Sequence, residues 1–404
     1  MKILFLTSRL PYPPNRGDKL RVFNLIKGLS KKHSVTLLSF IEAEDQLGLV
    51  DELKKYCSSV EVVLLKKWQS YLNCLINVFS PAPLQVAYYY SGEMRKKLQE
   101  LNANNKFDAV YAHLFRMAHY AKYINGATKA LDLCDAVSLH LKRTIKFNRS
   151  ILWPVYLFEW LKIKRYEKIA AKDFDRVLLI SNTDKEYIFG KNGVNADVNI
   201  VNNGVDYEYF KPVTANSSKR KNVSFLGYLG TFYNIDAILN FYDNILPIIK
   251  KSIPDITFTI IGADWNKKLD RVKNDACVEV ISNAEDTRPL LDKSSVFVCP
   301  LRVGSGQQNK ILEAMAMGLP VVTMSIGYDS LQVERGREIF VEDKPDDFAA
   351  RVIELLNNAE LRNSVSRNAR RFIENNYSWE SSVAKLEGIF MDARLRGHDS
   401  EARG

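Results

Sequence analysis

The chain has 404 residues, of which 46% are hydrophobic and 26% charged, and this composition excludes a largely disordered protein. Its five cysteines form no C-x-x-C pair, which argues against a disulfide framework or a thiolate metal cage and favours a reducing compartment. The net charge of +10 is uneven, since the whole positive excess lies in the first half of the chain. A polyanionic neighbour for that half, or simple solvated charge, would account for it.

Short apolar runs alternate with helical stretches along most of the sequence. The first run, Ile3 to Leu6, is followed by a proline-rich loop and then by helical periodicity from Leu20, which predicts a βαβ beginning. So many strands favour two parallel sheets over one, because very wide open sheets are uncommon. The further runs predicted as strands are 34–40, 60–65, 109–111, 130–133, 177–180 and 199–201, and then 223–226, 256–261, 278–281, 296–299 and 320–323.

One polar stretch interrupts this alternation and divides the chain. It contains Pro212, three consecutive polar residues and a Lys-Arg-Lys run, and none of these fits helix or strand periodicity. We therefore predict an α/β fold with two Rossmann-like, doubly wound domains facing each other across a cleft. The predicted parts are a first domain at 1–210, a linker at 211–222, a second domain at 223–375, a helix at 376–392 that packs back on the first domain, and a frayed polar tail at 393–404.

Two aromatic segments break the α/β pattern in the first half. Residues 68–90 and 151–163 each stand beside lysines or arginines, a combination typical of interfacial membrane helices and also of core helices with a solvated end. No stretch approaches the roughly 20 apolar residues of a transmembrane helix, and the first apolar run is too short for a signal peptide. We expect a cytoplasmic protein, in contact with the inner face of the cytoplasmic membrane if the aromatic segments are interfacial.

The richest local pattern is a strand, a glycine loop and a helix between residues 296 and 317. The strand at 296–299 is followed by Gly304 and Gly306, and a helix is predicted from 309 to 317. A helix N-terminus after such a loop offers backbone N–H groups and a positive dipole end to an anion. The pattern predicts an anion site.

Three charged side chains around this loop give the anion site a more specific chemistry. Arg302 and Lys310 are suited to charge-assisted contacts with a diphosphate, and Glu313 can accept paired hydrogen bonds from a ribose diol. Together they predict a site for a nucleoside diphosphate. The alternative is that Lys310 and Glu313 merely pair on a solvated helix face.

Several common catalytic signatures are missing from the sequence. It has no G-x-G-x-x-G after the first strand and no P-loop, which disfavours a nicotinamide cofactor and P-loop chemistry. The G-x-S-x-G and H-E-x-x-H motifs are also missing, and five histidines without clustering give no metal cage. We expect neither a metal nor a cofactor.

Several motifs together resemble a known family, the retaining GT-B glycosyltransferases of the group 1, or GT4, type. Residues 11–21 resemble the acceptor-side loop of this group, and residues 308–317 are most similar to exopolysaccharide sugar transferases associated with PEP-CTERM/exosortase gene clusters. The resemblance covers almost the whole chain except its last dozen residues. The other motifs that carry it are 203–206, 225–227, 302–322 and 377–379.

The resemblance implies roles for residues of both domains. It assigns Arg302 and Lys310 to the donor diphosphate as catalytic cations, and Glu313 to the nucleotide ribose. His113 would lie near the reacting sugar or the acceptor, although a buried structural histidine is as good an interpretation, and Gly17 would lie over the diphosphate. The other predicted donor-binding residues are Ser282, Asn283, Gly304, Ser305, Gly306 and Asn309.

The sequence also departs from the family pattern. Ser305 stands where many members carry a second glutamate, and Tyr228 and Asn234 stand where cations are common. Fewer cations would weaken charge neutralisation of a diphosphate, so Arg302 is the predicted replacement. These gaps bear on the donor more than on the fold.

The expected activity is transfer of a sugar from a nucleotide-diphosphate sugar to a hydroxyl acceptor with retention at the anomeric carbon. The expected acceptor is a lipid-linked glycan of exopolysaccharide or cell-surface glycan synthesis, with peripheral contact to an anionic membrane. A catalytically silent scaffold that binds a partner and a nucleotide-sugar 2-epimerase remain alternatives. No nucleic-acid partner is expected, because no RNP, zinc-finger or helix-turn-helix signature is present.

Overall fold

The computed structural model describes residues 1–147, 153–190, 197–213 and 221–401, with side chains to residue 393. The chain folds into two compact units, one formed by Met1–Asn202 with Trp379–Gly404 and the other by Asn203–Ser378. Each unit is an α/β layer structure around its own parallel sheet, and both are Rossmann-like. No helix within the described ranges has both the length and the apolarity needed to cross a bilayer.

The first unit is built on a seven-stranded sheet in the order β3-β2-β1-β4-β5-β6-β7, with every neighbouring pair parallel. Its strands are β1 (Lys2–Thr7), β2 (Ser34–Ile41), β3 (Ser59–Leu64), β4 (Ala109–His113), β5 (Thr128–Cys134), β6 (Arg176–Leu179) and β7 (Asp197–Ile200). Its helices are α1 (Gly17–Leu29), α2 (Val50–Lys54), α3 (Lys67–Ile76), α4 (Leu84–Tyr88), α5 (Gly92–Asn104), α6 (Val137–Phe147), α7 (Trp153–Ala171) and α8 (Asn182–Phe189). Short 3₁₀ turns occupy Glu44–Leu49 and Phe115–Tyr123.

The second unit is built on a six-stranded parallel sheet in the order β10-β9-β8-β11-β12-β13. Its strands are β8 (Asn222–Leu226), β9 (Thr257–Gly262), β10 (Val278–Ser282), β11 (Val296–Cys299), β12 (Val321–Thr323) and β13 (Phe340–Val341). Its helices are α9 (Phe232–Asn240), α10 (Leu246–Ser252), α11 (Asp270–Lys273), α12 (Arg288–Asp292), α13 (Asn309–Ala316), α14 (Ser325–Tyr328), α15 (Pro345–Asn357) and α16 (Ala359–Asn376). A π-helical turn, Phe241–Ile245, joins α9 to α10, and Lys267–Leu269 is a 3₁₀ turn.

The last helix, α17 (Trp379–Glu401), returns to the first unit. Leu386 and Phe390 are fully buried in the same core as Leu25, and Val383 lies against Gly28 of α1. The helix begins three residues later than the predicted 376, because α16 continues to Asn376. It also continues beyond the predicted end at 392, through the Ala-Arg-Leu-Arg stretch of good helix formers that was expected to be frayed.

The predicted strand runs all lie within strands of the two sheets or at their ends. Three details differ from the sequence prediction. The two-residue strand β13 was missed because so short a segment has no readable period, and α1 begins at Gly17 instead of Leu20. The first unit ends at Asn202 instead of 210, because Val205 is buried in the core of the second unit. Residues 214–220 of the predicted linker, and 151–152 of the second aromatic segment, lie outside the described residues.

Candidate functional site

The centre of the second sheet is where its strand order reverses. β8 and β11 are neighbours there, and the chain leaves their carboxyl ends in opposite directions along the sheet. In open α/β sheets, ligands bind outside the carboxyl ends of the strands at this point. The connection from β8 leads to α9, and the connection from β11 leads through the 300–308 loop to α13.

Lys310, in the first turn of α13, reaches toward α9. Its Nζ donates a hydrogen bond of 2.5 Å to Oδ1 of Asn234, and the Asn234 amide nitrogen donates to the carbonyl of Tyr228 at 2.8 Å. The Lys310 ammonium also lies 4.6 Å from the ring centre of Phe225. Burial lowers the Lys310 pKa, and Cys299 and Glu313 oppose that shift. Asn234 therefore orients the ammonium group of Lys310.

Two glycines, Gly227 and Gly262, lie at the carboxyl ends of β8 and β9. A Cβ atom on Gly227 would lie 2.9 Å from the amide nitrogen of Asn234 and 3.1 Å from Nζ of Lys310. A Cβ atom on Gly262, at the end of β9, would lie only 2.0 Å from the Gly227 carbonyl oxygen. Gly262 therefore has to be glycine because the backbone after β8 passes so close to it, whereas a side chain on Gly227 would displace Asn234 and Lys310.

Arg302 does not present a bare cation at this edge. Its Nε and one terminal nitrogen donate to the two carboxylate oxygens of Asp236 at 3.0 and 2.6 Å. The predicted replacement for the missing cations is thus already neutralised by a bidentate partner on α9. Asp236 was not among the predicted site residues, and no local sequence pattern couples it to Arg302. A diphosphate that binds Arg302 has to share it with this carboxylate or displace it.

Glu313 lies one turn beyond Lys310 on the same helix and is half-buried. Burial raises the pKa of its carboxyl to about 7, and the nearby Lys310 works against this shift. Near neutral pH the group therefore exists in both protonation states. This arrangement can accept a hydroxyl hydrogen bond and can respond to pH.

The loop between β11 and α13 contains the predicted glycines. Gly304 has a φ of 156° and Gly306 a φ of 64°, so both occupy backbone regions that favour glycine. Ser330 fixes the loop by donating from Oγ to the Gly306 carbonyl at 2.9 Å, and Ser305 is half-buried between the glycines. Within the described residues, no side chain caps the first turn of α13. The Ile311 N–H donates to the Gln308 carbonyl at 2.9 Å, which leaves the first two N–H groups of the helix, those of Asn309 and Lys310, for a ligand or solvent.

Asn309, Ser282 and Asn283 are predicted donor-binding residues whose side-chain positions do not support direct contact beside Lys310. The side-chain oxygen of Asn309 accepts a hydrogen bond from the Asn203 amide at 3.2 Å, so it holds the loop. Ser282 and Asn283 lie at the end of β10, three strand positions from β11, a separation of about 14 Å across the sheet. Asn283 adopts a φ of 55° and donates from its backbone N–H to the Gly262 carbonyl. The fold does not bring these two residues next to Lys310.

The first sheet has its own reversal point, between β1 and β4, where the other two predicted residues lie. Gly17 is the exposed first residue of α1, and His113 is the buried last residue of β4. His113 ends β4 and Gly17 follows the neighbouring strand β1, so both lie on the side of the sheet where the carboxyl ends of the strands are. Asp18 follows Gly17 in α1. Burial alone would raise the pKa of its carboxyl, but the charges of His113, Arg9 and Arg116 lower it overall.

A buried ion pair beneath this point escaped the sequence analysis. Arg21 donates from Nε to Asp132 at 2.6 Å and from a terminal nitrogen to the carbonyl of Val201 at 2.8 Å. Tyr111 and the Cys134 backbone N–H also donate to Asp132. Burial alone would raise the Asp132 pKa, but Arg21 and His113 lower it overall, so the carboxylate stays charged. Arg21 stood in the resembling motif, but nothing local pointed to its partner.

His113 belongs to this network more than to an open site. Its Nδ1 lies 3.7 Å from the Cys134 sulfur and 3.9 Å from an Asp132 oxygen, while Nε2 is buried without a hydrogen bond in the described part of the chain. Burial lowers the His113 pKa to about 4 against the opposing Asp132 charge, so the ring is neutral near pH 7. His113, Asp132 and Cys134 are close enough to one another to ligate a metal. Asp132 is already engaged by Arg21 and Tyr111, and this does not fit a metal centre.

The comparisons with known proteins bear on the fold and on the class of enzyme. Residues 220–358 match the family model described as glycosyl transferases group 1, and the chain is a glycosyltransferase with the GT-B fold. It is similar over 93% of its length, at 26% identity, to an uncharacterized 44.6 kDa protein in the cps region of Klebsiella pneumoniae, 96% of which is covered. The capsular polysaccharide biosynthesis glycosyltransferase CapM of Staphylococcus aureus is 24% identical, over 58% of this chain and 66% of CapM. Among solved structures, Anabaena Alr3699/HepE in complex with UDP has a TM-score of 0.69 at 15% identity, covering 97% of this chain and all of that one.

Proposed function

We propose that this glycosyltransferase moves a sugar from a nucleoside-diphosphate sugar to a hydroxyl of a lipid-linked glycan, with retention at the anomeric carbon. The observation that carries the proposal is the position of Lys310. Its ammonium lies at the reversal point of the second sheet, beside the uncapped start of α13 and one turn from Glu313. A cation, the N–H groups of Asn309 and Lys310 and a carboxylate that accepts hydrogen bonds from hydroxyls suit a diphosphate followed by a ribose.

In this mechanism the protein stabilises the leaving group. Lys310 and the α13 N-terminus offset the negative charge that builds on the departing diphosphate, the kind of preorganised electrostatics that often dominates catalysis. Arg302 adds its charge once the diphosphate competes with Asp236. The departing phosphate oxygen accepts the proton of the acceptor hydroxyl, so no protein base is required. We expect the transfer to need neither a metal nor a cofactor.

The polysaccharide context comes from the relatives. Two of them are named for a cps region and for capsular polysaccharide biosynthesis, and a solved neighbour is described with UDP. We therefore propose a UDP-sugar donor and a role in surface polysaccharide assembly at the cytoplasmic side of the membrane. The narrower grouping with the PEP-CTERM/exosortase-associated exopolysaccharide transferases stays a prediction.

A thermal-shift screen against UDP, GDP, ADP, TDP and CMP tests the donor site. A ligand at 100 times its dissociation constant stabilises the folded state by roughly 2.7 kcal/mol, which a melting curve resolves. We expect UDP to raise the melting temperature more than the other nucleotides and Lys310→Ala to remove the shift. Asp236→Asn should enlarge it, because the substitution releases the Arg302 charge.

Lys293→Ala is the matched control. Lys293 is an exposed lysine of the same unit. It precedes β11, so it lies at the amino-terminal ends of the strands, opposite the candidate site. The control should keep the wild-type shift. If no nucleotide stabilises the wild type, or if Lys310→Ala behaves like the control, the proposed donor site is wrong, and a silent scaffold becomes the better explanation.

The stereochemistry and the reaction type need a product. We expect nuclear magnetic resonance of the glycoside formed from a UDP-α-sugar to reveal an α-linked product. A β-linked product would rule out retention. Isomerisation of the donor sugar without an acceptor would instead identify a 2-epimerase.

A further inference from the structure

Helix α3 exposes its apolar face to solvent and packs its polar face against the protein. Its exposed face carries Trp68, Leu72, Leu75 and Ile76, which are spaced to form one apolar stripe that continues to Phe79. The stripe is strongly exposed, at 71% for Leu75, 69% for Ile76 and 92% for Phe79. A helix on a water-facing surface normally turns such a stripe toward the core.

The opposite face of α3 is polar and is held by specific contacts. Ser70 is only 2% exposed, and the Asn73 side chain donates to the carbonyl of Tyr90 at 3.0 Å. The Cys74 thiol donates to the Leu84 carbonyl at 3.5 Å. These contacts fix the rotation of the helix about its axis. The apolar stripe therefore faces outward by construction of the fold.

Helix α7 extends this apolar surface. Nζ of Lys162 donates to the carbonyl of Val78 at 2.7 Å, which joins α7 to the end of the α3 segment. The outer face of α7 exposes Val155, Phe158 and Leu161 and then becomes basic. The exposed basic residues of the following turns are Lys164, Arg165 and Lys168.

The charges around the stripe are predominantly basic. Lys66 and Lys67 stand exposed at the start of α3, and the sequence has no acidic residue between Glu61 and Glu93. Glu93 forms an exposed ion pair with Lys66 at 3.7 Å. Glu159 of α7 is buried and accepts hydrogen bonds from the backbone N–H groups of Leu84 and Gln85. Apolar and aromatic side chains flanked by lysines match the headgroup region of an anionic bilayer.

We propose that the α3 surface, defined as Trp68, Tyr71, Leu72, Leu75, Ile76 and Phe79 together with Val155, Phe158 and Leu161, docks the protein on an anionic membrane. A second copy of the chain is a poorer occupant, because a symmetric dimer would bring the two basic flanks together. The inference rests on the lipid-linked acceptor of the proposed function, and it gives that acceptor a route to the protein. The surface belongs entirely to the first unit.

Sedimentation of the full-length protein with vesicles tests this surface. Vesicles of phosphatidylcholine with phosphatidylglycerol are compared with phosphatidylcholine alone. We expect binding to the anionic vesicles, weakened by salt, and a loss of about tenfold or more in the variant Leu75→Gln/Ile76→Gln/Phe79→Gln. The charge variant Lys66→Gln/Lys67→Gln should lose only the preference for anionic vesicles.

The matched control replaces exposed apolar residues of the same unit that are not part of the α3 surface. Leu47→Gln/Met391→Gln should bind vesicles like the wild type. The α3 variant should keep the wild-type melting temperature and the wild-type stabilisation by UDP, so that a loss of vesicle binding is not a loss of fold. Vesicle binding without any nucleotide effect would sink the transferase proposal and leave the docking surface standing.

Two results would overturn the docking proposal. One is vesicle binding by the α3 variant at the wild-type level. The other is a wild-type dimer in sedimentation velocity that the α3 variant converts to monomer, since the stripe would then be a contact between two copies of the chain.

Discussion

At the scale of single residues, the second unit holds two ionisable groups whose pKa values burial shifts in opposite directions. Burial lowers the pKa of Lys310 and raises that of Glu313 to about 7, so both shifts favour the neutral forms. A bound diphosphate would restore the preference of Lys310 for its charged form. Glu313, which faces the ribose in the proposed complex, would report the pH at which that contact is made.

We expect nucleotide affinity to rise with pH through about 7. Below this value Glu313 is protonated and is a poorer acceptor for ribose hydroxyls, and above it the carboxylate is available. Titration calorimetry with the stabilising diphosphate, from pH 6 to pH 8, measures the dependence in the wild type and in Glu313→Gln. Because the phosphate titrates equally in both experiments, the ratio of the two dissociation constants isolates Glu313. A ratio that does not change with pH would contradict this role.

The raised pKa of Glu313 also makes the stability of the folded chain depend on pH. Glu313 has a pKa near 7 in the folded chain against an ordinary 4.5, so the folded state holds its proton more tightly. Its contribution to stability is therefore present at low pH and is lost as the pH rises from about 4.5 toward 7.

At the scale of elements, close backbone approach shapes the edge of the second sheet. The connection after β8 crosses the end of β9 so tightly that only hydrogen fits at Gly262. On the other side of β8, α13 is preceded by Gly306 and followed by Gly318, both with positive φ values. The cation of Lys310 is held by this framework and not by the helix alone.

Gly262→Ala should destabilise the second unit by about 1–3 kcal/mol or more, because the new methyl group meets the carbonyl oxygen of Gly227. Urea denaturation measures the effect. Gly48→Ala is the matched control, since a Cβ atom there meets nothing within 4 Å. Equal midpoints for the two variants would mean that the approach of the two backbones is not required.

At the scale of the whole molecule, the chain leaves the first unit, builds the second and then returns. Helix α17 carries Leu386 and Phe390 back into the core that contains Leu25 and Ile3 of the first unit. The core of the first unit is therefore complete only after helix α17 has been synthesised. Glu387 of α17 also contacts His33 and Lys32, which lie between α1 and β2.

Phe390→Ala should destabilise the first unit by about 3–5 kcal/mol through the cavity it leaves. The adjacent Met391 is 46% exposed, so Met391→Ala should change stability little. Hydrogen exchange read separately on peptides of 1–41 and 296–323 measures the effect in each unit. Loss of protection in the second unit alone would contradict the assignment of α17 to the first.

The amino-acid sequence by itself predicted every described strand except β13, their parallel arrangement and a candidate donor site, which stays a prediction. Each follows from local pattern: buried strands are continuous apolar runs, and a glycine loop before a helix identifies an anion site within a few residues. Lys310, Glu313, Gly304 and Gly306 could be found for this reason.

The tertiary structure alone decided which charges are free and which faces are exposed. Arg302 finds Asp236 66 residues away, and Arg21 finds Asp132 across 111 residues, so no local pattern predicts either pair. The sequence predicts an aromatic segment at 68–90, but only the contacts of Asn73 and Cys74 turn the apolar stripe of α3 outward. Periodicity fixes the shape of an element, whereas its rotation and its partners depend on segments that meet only after folding.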